Sequence, residues 1–591
     1  MRRIFVVFFC FYLPFDSVLA IDEDALAVEE IIVRADYRLS ELNDIPSSLI
    51  VLDENLIQNR NAQHLEEVLL NAPNVNFSSG SSRSRFYQIR GIGERGQFSE
   101  PLNSSVGVII DGIDFSGIGN AAMLYDIDQV EVFLGPQGTR YGSNALAGLI
   151  NLQSRAPTPD LSYGLKFETA DYNSNGLGGY VSGPLSERFN YRFSAQKISS
   201  DGFSVNQFLD DETNARDERV IRGKISGELF NDVELDLTAS KIKLSNGYDA
   251  FSLDNERETQ SDEPGSDKQD SELLSANIEI SRFEKFTFNT LLGYGDSRTQ
   301  YSYDEDWVFD GFHPWGYSST DEYNRDRRTG STEFRITSSE AGRIFSDTTD
   351  WVFGLYSLRQ EVNLERIYTF LSENFTSRYD TRRLAVYGET ETRLNDNWSL
   401  TLGMRGERFS ADYQDSRAVN FSPTENLVGG KITLTHNPGP NSLIYTTISR
   451  GYKTGGFNTD GTLDSDLRDF DSEGLINYEL GFKRMLLENR MQTQLALFFM
   501  DRDDVQVSSS VVRTRPDGSS EFIDYIGNAA TGSNYGLEFS GDFRASERTS
   551  FYASLGLLKT RYDNFINSAG DNLDGREQAH APSYQYSLGM D

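Results

Sequence analysis

The chain has 591 residues, of which 90 are acidic and 55 basic, so its formal net charge is −35 at pH 7. Because no segment is strongly basic, the composition excludes a nucleic-acid binder that works by neutralising phosphates. Aromatic residues are frequent (12%) and no apolar run of ~18 residues follows the N-terminal region, which favours a large antiparallel sheet over membrane-spanning helices.

Residues 1–20 predict a secretory signal peptide. Arg2 and Arg3 precede an apolar run, and Ala20 provides the small side chain that a signal peptidase reads. A short membrane anchor is the alternative interpretation. The only cysteine, Cys10, lies inside this segment, so the processed chain would have neither disulfides nor a thiol nucleophile. These features favour a protein of the Gram-negative envelope.

Residues 36–157 show the pattern of a compact α+β domain, which follows a leader at 21–35. Residues 64–70 (HLEEVLL) predict a short amphipathic helix. Short buried strands are predicted at 106–110, 129–134 and 146–152, with glycine-rich turns between them.

From Tyr163 onward, large apolar residues alternate with small or polar ones, as in residues 398–405 (WSLTLGMR). This period of two indicates strands with one apolar and one polar face. We count about 17 strands of ~10 residues. Their connections alternate between short ones, such as 487–489, and long acidic ones, such as 245–272, 297–330 and 504–532. That alternation is typical of a transmembrane antiparallel β-barrel whose apolar face contacts lipid.

Several motifs point to one family. In the α+β domain they are residues 69–75 (LLNAPNV), 89–91 (IRG), 108–112 (VIIDG), 130–136 (VEVFLGP) and 141–151 (YGSNALAGLIN). In the barrel they are residues 451–458 (GYKTGGFN) and 478–483 (YELGFK). On these motifs the chain resembles the TonB-dependent outer-membrane receptor family. The resemblance implies a barrel of roughly 22 strands with the α+β domain as a plug in its lumen.

Two features depart from the family pattern. Leu134 stands where the family usually has an arginine before Gly-Pro, so one plug–barrel ion pair is not expected. The printed sequence ends at Asp591, inside an eighteenth predicted strand. We therefore expect about 17–18 of the family's roughly 22 strands, with the barrel at 158–591 incomplete at its C-terminus, because an open barrel edge is not tolerated in lipid.

The leader contains a segment that resembles a TonB box, with an acidic start, an aliphatic stretch and a small residue. Its residues are Glu29, Glu30, Ile31, Ile32, Val33, Arg34 and Ala35. An extended segment can add a strand to the sheet edge of a partner protein. The resemblance implies that this partner is TonB, with its inner-membrane energising proteins. A disordered leader without this role is the alternative.

Arg90 is the candidate anchor between the plug and the barrel. A buried guanidinium requires carboxylates, and Glu479 and Glu538 lie on the polar, lumen-facing side of their predicted strands. The family's anchoring glutamates match these motifs. In the alternative interpretation, Arg90 pairs with an acidic residue of the plug itself, Asp111 or Glu131.

The predicted loop at 297–330 is rich in aromatic side chains, which can stack on a planar ligand or a sugar ring. The candidate ligand contacts there are Tyr301, Trp307, His313 and Trp315. An aromatic girdle or ordinary loop packing is the alternative for each residue. Acidic residues 249–270 contain the oxygen ligands that calcium prefers, but a solvated loop or a contact with calcium-bridged lipopolysaccharide fits better. The histidines lack metal-ligand spacing, so no metal site is predicted.

The search for a catalytic arrangement finds no HExxH motif and no serine nucleophile elbow, so the sequence predicts no enzyme. The resemblance implies active uptake of a scarce nutrient, by default a ferric siderophore or another iron complex, without a covalent cofactor. A monomer embedded in outer-membrane lipid and lipopolysaccharide is expected. The alternatives are an oligosaccharide or corrinoid as ligand, or a passive porin-like channel; an outer-membrane enzyme or adhesin has no supporting motif. The acidic outer loops argue mildly against a highly anionic ligand.

Overall fold

The computed structural model describes residues 28, 31–34, 37–96, 103–314, 316–459, 463, 467–514, 520–563, 565–567 and 570–591. The predicted signal peptide at 1–20 lies outside the described residues, as do Glu29, Glu30 and Ala35 of the candidate TonB box and the candidate ligand contact Trp315.

The plug contains α1 (Glu54–Asn59), α2 (Glu66–Leu69) and the strands β1 (Ile32–Val33), β2 (Ser40–Glu41), β3 (Leu49–Asp53), β4 (Val75–Ser78), β5 (Phe86–Ile89), β6 (Val106–Ile110), β7 (Ile113–Asp114), β8 (Ile127–Leu134) and β9 (Gly148–Ser154). Its central sheet has the order β3-β8-β9-β6-β7, in which β6 and β9 run parallel. Both faces of β8 are largely buried, and its buried polar residues Gln129 and Glu131 are joined by a hydrogen bond of 2.7 Å from Gln129 Nε2 to Glu131 Oε1.

The predicted helix at 64–70 forms only as the short α2. The backbone of His64 pairs with Met123 in an isolated β-bridge, which places His64 outside the helix. The sequence analysis missed β3 and α1. Asp53 is the N-cap of α1, because its side chain accepts a hydrogen bond from Leu56 N at 2.9 Å. Leu134 is buried in the plug core, so this position contributes to apolar packing.

The strands that follow the plug are, in chain order, β10 (Ser162–Ala170), β11 (Ser174–Pro184), β12 (Phe189–Ser200), β13 (Ser204–Asn206), β14 (Asp211–Thr213), β15 (Arg216–Phe230), β16 (Val233–Tyr248), β17 (Glu258–Thr259), β18 (Gly265–Phe283), β19 (Phe286–Asp304), β20 (Thr320–Ser338), β21 (Thr349–Tyr368), β22 (Phe375–Asn395), β23 (Trp398–Asp415), β24 (Asn420–Phe421), β25 (Thr424–Gly439), β26 (Ser442–Lys453), β27 (Gly456–Phe457), β28 (Asp469–Phe470), β29 (Glu473–Leu486), β30 (Met491–Thr514), β31 (Ser520–Ser546), β32 (Thr549–Asp563) and β33 (Tyr584–Met590).

Apart from short strands in the connections, each of these strands pairs antiparallel with the next one in the chain, from β10 at one edge to β33 at the other. The short strands form two small sheets, β14-β13-β17 and β27-β28, whereas β24 pairs with β23. No helix among the described residues is long and apolar enough to cross a membrane.

The large sheet wraps around the plug. Near one edge, Arg192 of β12 forms an ion pair with Asp126 of the plug at 2.5 Å. On the edge strand β33, Gln585 Nε2 donates to the carbonyl oxygen of Ala72 at 3.1 Å. Because the plug contacts strands near both edges of the sheet, the sheet encloses it as a barrel wall.

Side chains of the barrel alternate between a lumen face and an outer face, as the period of two predicts. In β29, Tyr478 and Leu480 are 46% and 48% exposed, whereas Glu479 between them is 5% exposed. The fold class predicted from the sequence, a lipid-facing antiparallel barrel that holds an α+β plug, is therefore confirmed.

The prediction of very long loops was partly wrong. The strands continue into the predicted loops: β19 extends to Asp304, β20 begins at Thr320, and β30 and β31 leave only residues 515–519 between them. Beyond the apolar zone the outer face of a strand carries polar residues, as Arg328 does in β20, so the apolar period disappears although the main-chain ladder continues. The sequence pattern therefore marks where the apolar zone ends, not where the strands end.

Candidate ligand cavity and plug contacts

Arg90 is fully buried between two barrel carboxylates. Its Nε and Nη2 atoms donate to the two carboxylate oxygens of Glu538, each at 2.8 Å, and Nη2 also lies 2.8 Å from Glu479 Oε2. Burial lowers the pKa of Arg90, but the two carboxylates outweigh it and raise that pKa above its ordinary value. The structure thus brings together the three residues that the sequence analysis grouped.

Both carboxylates accept further hydrogen bonds, which a buried charge requires. Tyr445 Oη donates to Glu479 Oε1 at 2.8 Å, and Ser48 Oγ donates to Glu538 Oε2 at 2.9 Å. The acidic residues of the alternative interpretation have different partners. Asp111 accepts from Ser154, and Glu131 accepts from Asn151 and from the backbone of Arg34.

A second buried network joins the plug to the barrel, and the sequence analysis missed it. Arg83 of the plug donates from Nε and Nη2 to both oxygens of Glu218 on β15, each at 2.7 Å. Arg83 Nη1 also contacts Glu67 at 2.8 Å and Glu66 at 3.1 Å. In the sequence DERV at 217–220, Glu218 is buried between the partly exposed Asp217 and the exposed Arg219, but only the fold reveals which arginine it meets.

A third contact between the plug and the barrel involves Glu94, which lies in residues 91–96 (GIGERG). Lys453 Nζ, from the barrel motif GYKTGGFN, donates to Glu94 Oε1 at 2.8 Å, and Ser105 N donates to the same carboxylate at 2.9 Å. Burial raises the pKa of Glu94, but Lys453 and Ser105 outweigh it and hold that pKa below its ordinary value. Glu94 therefore takes part in a structural contact between the plug and the barrel.

The described part of the candidate TonB box lies against the plug. Strand β1 pairs antiparallel with β2, and Val33 is fully buried in a small apolar cluster with Leu42 and Phe133. Arg34 forms an ion pair with Asp128 at 2.9 Å. Ile32 is partly exposed. The segment is extended, as a box requires, and one of its edges is already paired.

The N-terminal segment also identifies the two ends of the barrel. Val28 N donates at 2.8 Å to the carbonyl oxygen of Asn489, which lies in the short turn between β29 and β30. The leader therefore lies at the end of the barrel that has the short turns, and the longer connections lie at the opposite end.

A cavity lies between the plug and the wall, toward the end with the longer connections. The plug contributes residues 85, 104, 116–118 and 144, and the wall contributes residues of β19 to β23 near their long-loop ends.

Arginines dominate the charge of this cavity. Those in its lining are Arg85, Arg325, Arg327 and Arg383, and the residues lining it among those described include no aspartate or glutamate. Tyr379 and Tyr413 form an aromatic part of the wall, with ring centroids 6.4 Å apart. In β20, Arg325 and Arg327 lie on the buried side and Arg328 on the exposed side, so the strand period selects which arginines face inward.

The described residues among the proposed ligand contacts, Tyr301, Trp307 and His313, lie outside the lining of this cavity. Tyr301 is 2% exposed and packs with Tyr248 and Tyr323 inside the outer barrel. Trp307 stacks on Phe251 with ring centroids 5.0 Å apart, and His313 contacts neighbouring aromatic rings of its own loop. Among the described residues that line the cavity, none is a member of the proposed set.

The acidic stretch at 249–270 is partly strand and partly buried. Asp249 accepts from Asn206 at 3.0 Å and from Thr259, and Asp267 on β18 accepts from Ser82 of the plug at 2.7 Å. In the described part of the chain, no three His, Cys, Asp or Glu residues are grouped so that they could hold a metal ion. Asp249 and Asp267 therefore accept hydrogen bonds from neutral groups of the protein.

Family models and relatives agree with this architecture. A model described as "TonB-dependent Receptor Plug Domain" matches residues 41–149, and one described as "TonB dependent receptor-like, beta-barrel" matches residues 221–591. Since the second match covers more than half of the chain, the protein belongs to the TonB-dependent receptor family. It is accordingly a receptor of the outer membrane of Gram-negative bacteria.

Named relatives include the pesticin receptor of Yersinia pestis, which is 24% identical over 83% of this chain and 72% of its own length. The ferric enterobactin receptor PirA of Pseudomonas aeruginosa is 28% identical over 28% of this chain and 25% of its own. Among solved structures, the ferric yersiniabactin uptake receptor FyuA from Y. pestis has a TM-score of 0.76 at 19% identity, covering 92% of this chain and 83% of its own. The siderophore receptor PiuA from Acinetobacter baumannii has a TM-score of 0.77 at 15% identity, covering 96% and 87%. These similarities support the fold.

Proposed function

We propose that the protein takes up a ferric siderophore across the outer membrane, with energy transmitted by TonB. The observation that carries the proposal is the cavity between the plug and the outer part of the barrel, above a plug that ion pairs join to the wall. Several relatives are named as receptors for iron complexes, and their fold matches this chain. The proposed cargo is therefore an iron chelate. In this proposal the protein binds and transports its ligand and catalyses no reaction.

The plug distinguishes this proposal from a passive channel. Buried contacts of Arg90, Arg83 and Glu94 with the wall oppose free diffusion through the lumen. Ligand binding must therefore be coupled to a change of the plug, because a ligand moves an equilibrium only by binding one state more tightly than the other. We assign residues 36–157 to this plug and residues 158–591 to the barrel.

The candidate TonB box would transmit the force. The contact between β1 and β2 covers two residue pairs, so few main-chain hydrogen bonds hold the segment on the plug. Each net hydrogen bond contributes only about 0.5–1.5 kcal/mol, which a pulling partner can overcome. We further propose that the barrel works as a monomer surrounded by lipid and lipopolysaccharide, because its outward side chains form an apolar belt.

Growth under iron limitation tests the proposed function. The full-length protein is expressed in a Gram-negative host that lacks its own siderophore receptors but retains TonB. Ferric siderophores supplied as the only iron source should restore growth. Expression of the protein should not increase the uptake of oligosaccharides or corrinoids. Restored uptake of a glycan or corrinoid without any ferric complex would favour the alternative ligands and contradict the proposal.

A further inference from the structure

We infer that Asp304 and Asp306, where β19 leads into the connection to β20, form a binding site for a hard divalent cation, Ca²⁺. Asp304 is the last residue of β19, and Asp306 follows it in the connection at 305–319. Neither residue belongs to the lining of the cavity between plug and barrel. The site is therefore independent of the proposed uptake of an iron chelate.

The two aspartates are buried and adjacent. Asp304 is 5% exposed and Asp306 is 7% exposed. Their carboxyl groups lie within hydrogen-bonding distance of each other, and the hydroxyl group of Ser261 lies beside Asp304. Two carboxylates that share a buried site cannot both stay ionised unless a positive charge lies between them. The pair therefore requires a cation or a shared proton.

Basic side chains of the protein do not supply this charge in the described part of the chain. No arginine, lysine or histidine there forms an ion pair with Asp304 or Asp306. Arg366 of the nearby strand β21 forms its ion pair with Asp321 of β20, at 2.7 Å. Because a buried carboxylate without a counter-charge is strongly unfavourable, a bound cation has a physical role at this place.

The backbone orients both carboxylates and leaves one oxygen of each without a donor. Asp304 Oδ1 accepts from the backbone nitrogens of Asp306 at 3.1 Å and Trp307 at 3.2 Å. Asp306 Oδ1 accepts from the backbone nitrogen of Ser319 at 2.9 Å. The Oδ2 atoms of both aspartates are buried and have no hydrogen-bond partner among the described residues. These two oxygens are the ligands that the protein offers.

The chemistry of the ligands selects the cation. Carboxylate and hydroxyl oxygens suit the hard cations Ca²⁺ and Mg²⁺, and a double positive charge neutralises two carboxylates. Mg²⁺ gives up its water reluctantly, whereas Ca²⁺ accepts oxygen ligands in a flexible geometry. A buried pair leaves little space for retained water, so Ca²⁺ fits better. Since the protein contributes two carboxylates, hydroxyl, carbonyl and water oxygens complete the coordination.

A cation at this position would join outer segments that already touch. Asn206 of β13 donates from Nδ2 to the carbonyl oxygen of Ser261 at 2.8 Å. Trp307, next to Asp306, stacks on Phe251 with ring centroids 5.0 Å apart. The bound cation would therefore hold the connection at 305–319 against the segment that contains Phe251 and Ser261.

Luminescence of Tb³⁺, which replaces Ca²⁺ in oxygen sites, tests the inference. Purified full-length receptor in detergent is stripped with EDTA, titrated with Tb³⁺ and then with Ca²⁺. Excitation of tryptophan should produce Tb³⁺ emission, because Trp307 adjoins the site. Ca²⁺ should displace Tb³⁺ with a Kd on the order of 0.1–1 mM, the range of extracellular calcium modules, and Mg²⁺ should displace it less well. Asp304→Asn and Asp306→Asn should each weaken Ca²⁺ binding by ~10-fold or more.

Asp310→Asn is the matched control, because Asp310 lies in the same connection and its side chain is exposed. It removes the same charge and should leave the Kd for Ca²⁺ unchanged. Trp307→Phe should reduce the Tb³⁺ emission while calorimetry still detects Ca²⁺ binding. This pair of variants separates loss of the site from loss of the optical signal.

Protease cleavage of the connection at 305–319 separates a cation site from a merely structural pair. In EDTA, Asp304→Asn should be at least as resistant as wild type, because it relieves the repulsion between two carboxylates. With Ca²⁺, wild type should become more resistant and Asp304→Asn should not. Failure of Ca²⁺ to displace Tb³⁺ from wild type, as a shared proton predicts, or equal effects of Ca²⁺ on wild type and both aspartate variants, would overturn the inference. Either result leaves the proposed uptake of an iron complex untouched.

Discussion

A Cβ atom added at Gly135 would lie 2.9 Å from Nη1 of Arg90. Gly135 also has a φ of +101°, a conformation that side chains rarely adopt. This glycine follows Leu134, the position where the family usually has a second arginine. The plug therefore makes space for one guanidinium, and Arg90 binds both barrel glutamates by itself.

Arg90→Ala should loosen the plug, because it leaves Glu479 and Glu538 buried without their cation. Breaking a buried pair in this way costs roughly 3–5 kcal/mol. We expect greater sensitivity to a large antibiotic that the intact outer membrane excludes, and higher conductance in planar bilayers. Arg90→Lys keeps the charge but loses the bidentate geometry, so its effect should be intermediate. Wild-type resistance and conductance in Arg90→Ala would contradict the anchor role.

The Arg83 network should be a second anchor of similar strength. Glu218→Gln removes a buried carboxylate that accepts two bonds from Arg83, so the plug should become easier to cleave by protease and to unfold with urea. Asp217→Asn is the control, since it removes the same charge one residue away, where the side chain is exposed. It should behave like wild type. Equal protease sensitivity of the two variants would argue against this anchor.

The orientation of the barrel predicts which connections face the outside. An epitope inserted near Asp262, in the connection before β18, should be labelled on intact cells. The same epitope in the short turn at 487–489 should be labelled only after the outer membrane is permeabilised. The reverse pattern would show that the barrel is inserted the other way.

Sequence reasoning was most successful where one physical signal dominates. The period of two in β29 placed Glu479 in the lumen, and the IRG motif identified Arg90, so these residues could be grouped without coordinates. Arg325 and Arg327 were missed because they lie in strand segments above the apolar zone, where alternation no longer distinguishes strand from loop. Arg83 and Glu218 are 135 residues apart in the chain, and no local pattern relates them.

Ile32→Pro should abolish energised uptake while ligand binding survives. Proline removes a backbone donor and fixes φ, so the segment cannot add a regular strand to the sheet of a partner. Ile32→Ala is the matched control, because it keeps the backbone donor and should retain most uptake. The readout is iron accumulation compared with surface binding in the same cells. Normal iron accumulation in cells that carry Ile32→Pro would show that residues 29–35 are not the segment that couples uptake to TonB.

The dependence of iron accumulation on TonB tests the central claim most directly. Cells that express the full-length protein are given a radiolabelled ferric siderophore, in otherwise identical strains with and without TonB. The account predicts that both strains bind the complex at the surface and that only the strain with TonB accumulates iron inside. Equal accumulation in the two strains would show passage through the barrel without energy coupling and would contradict the account.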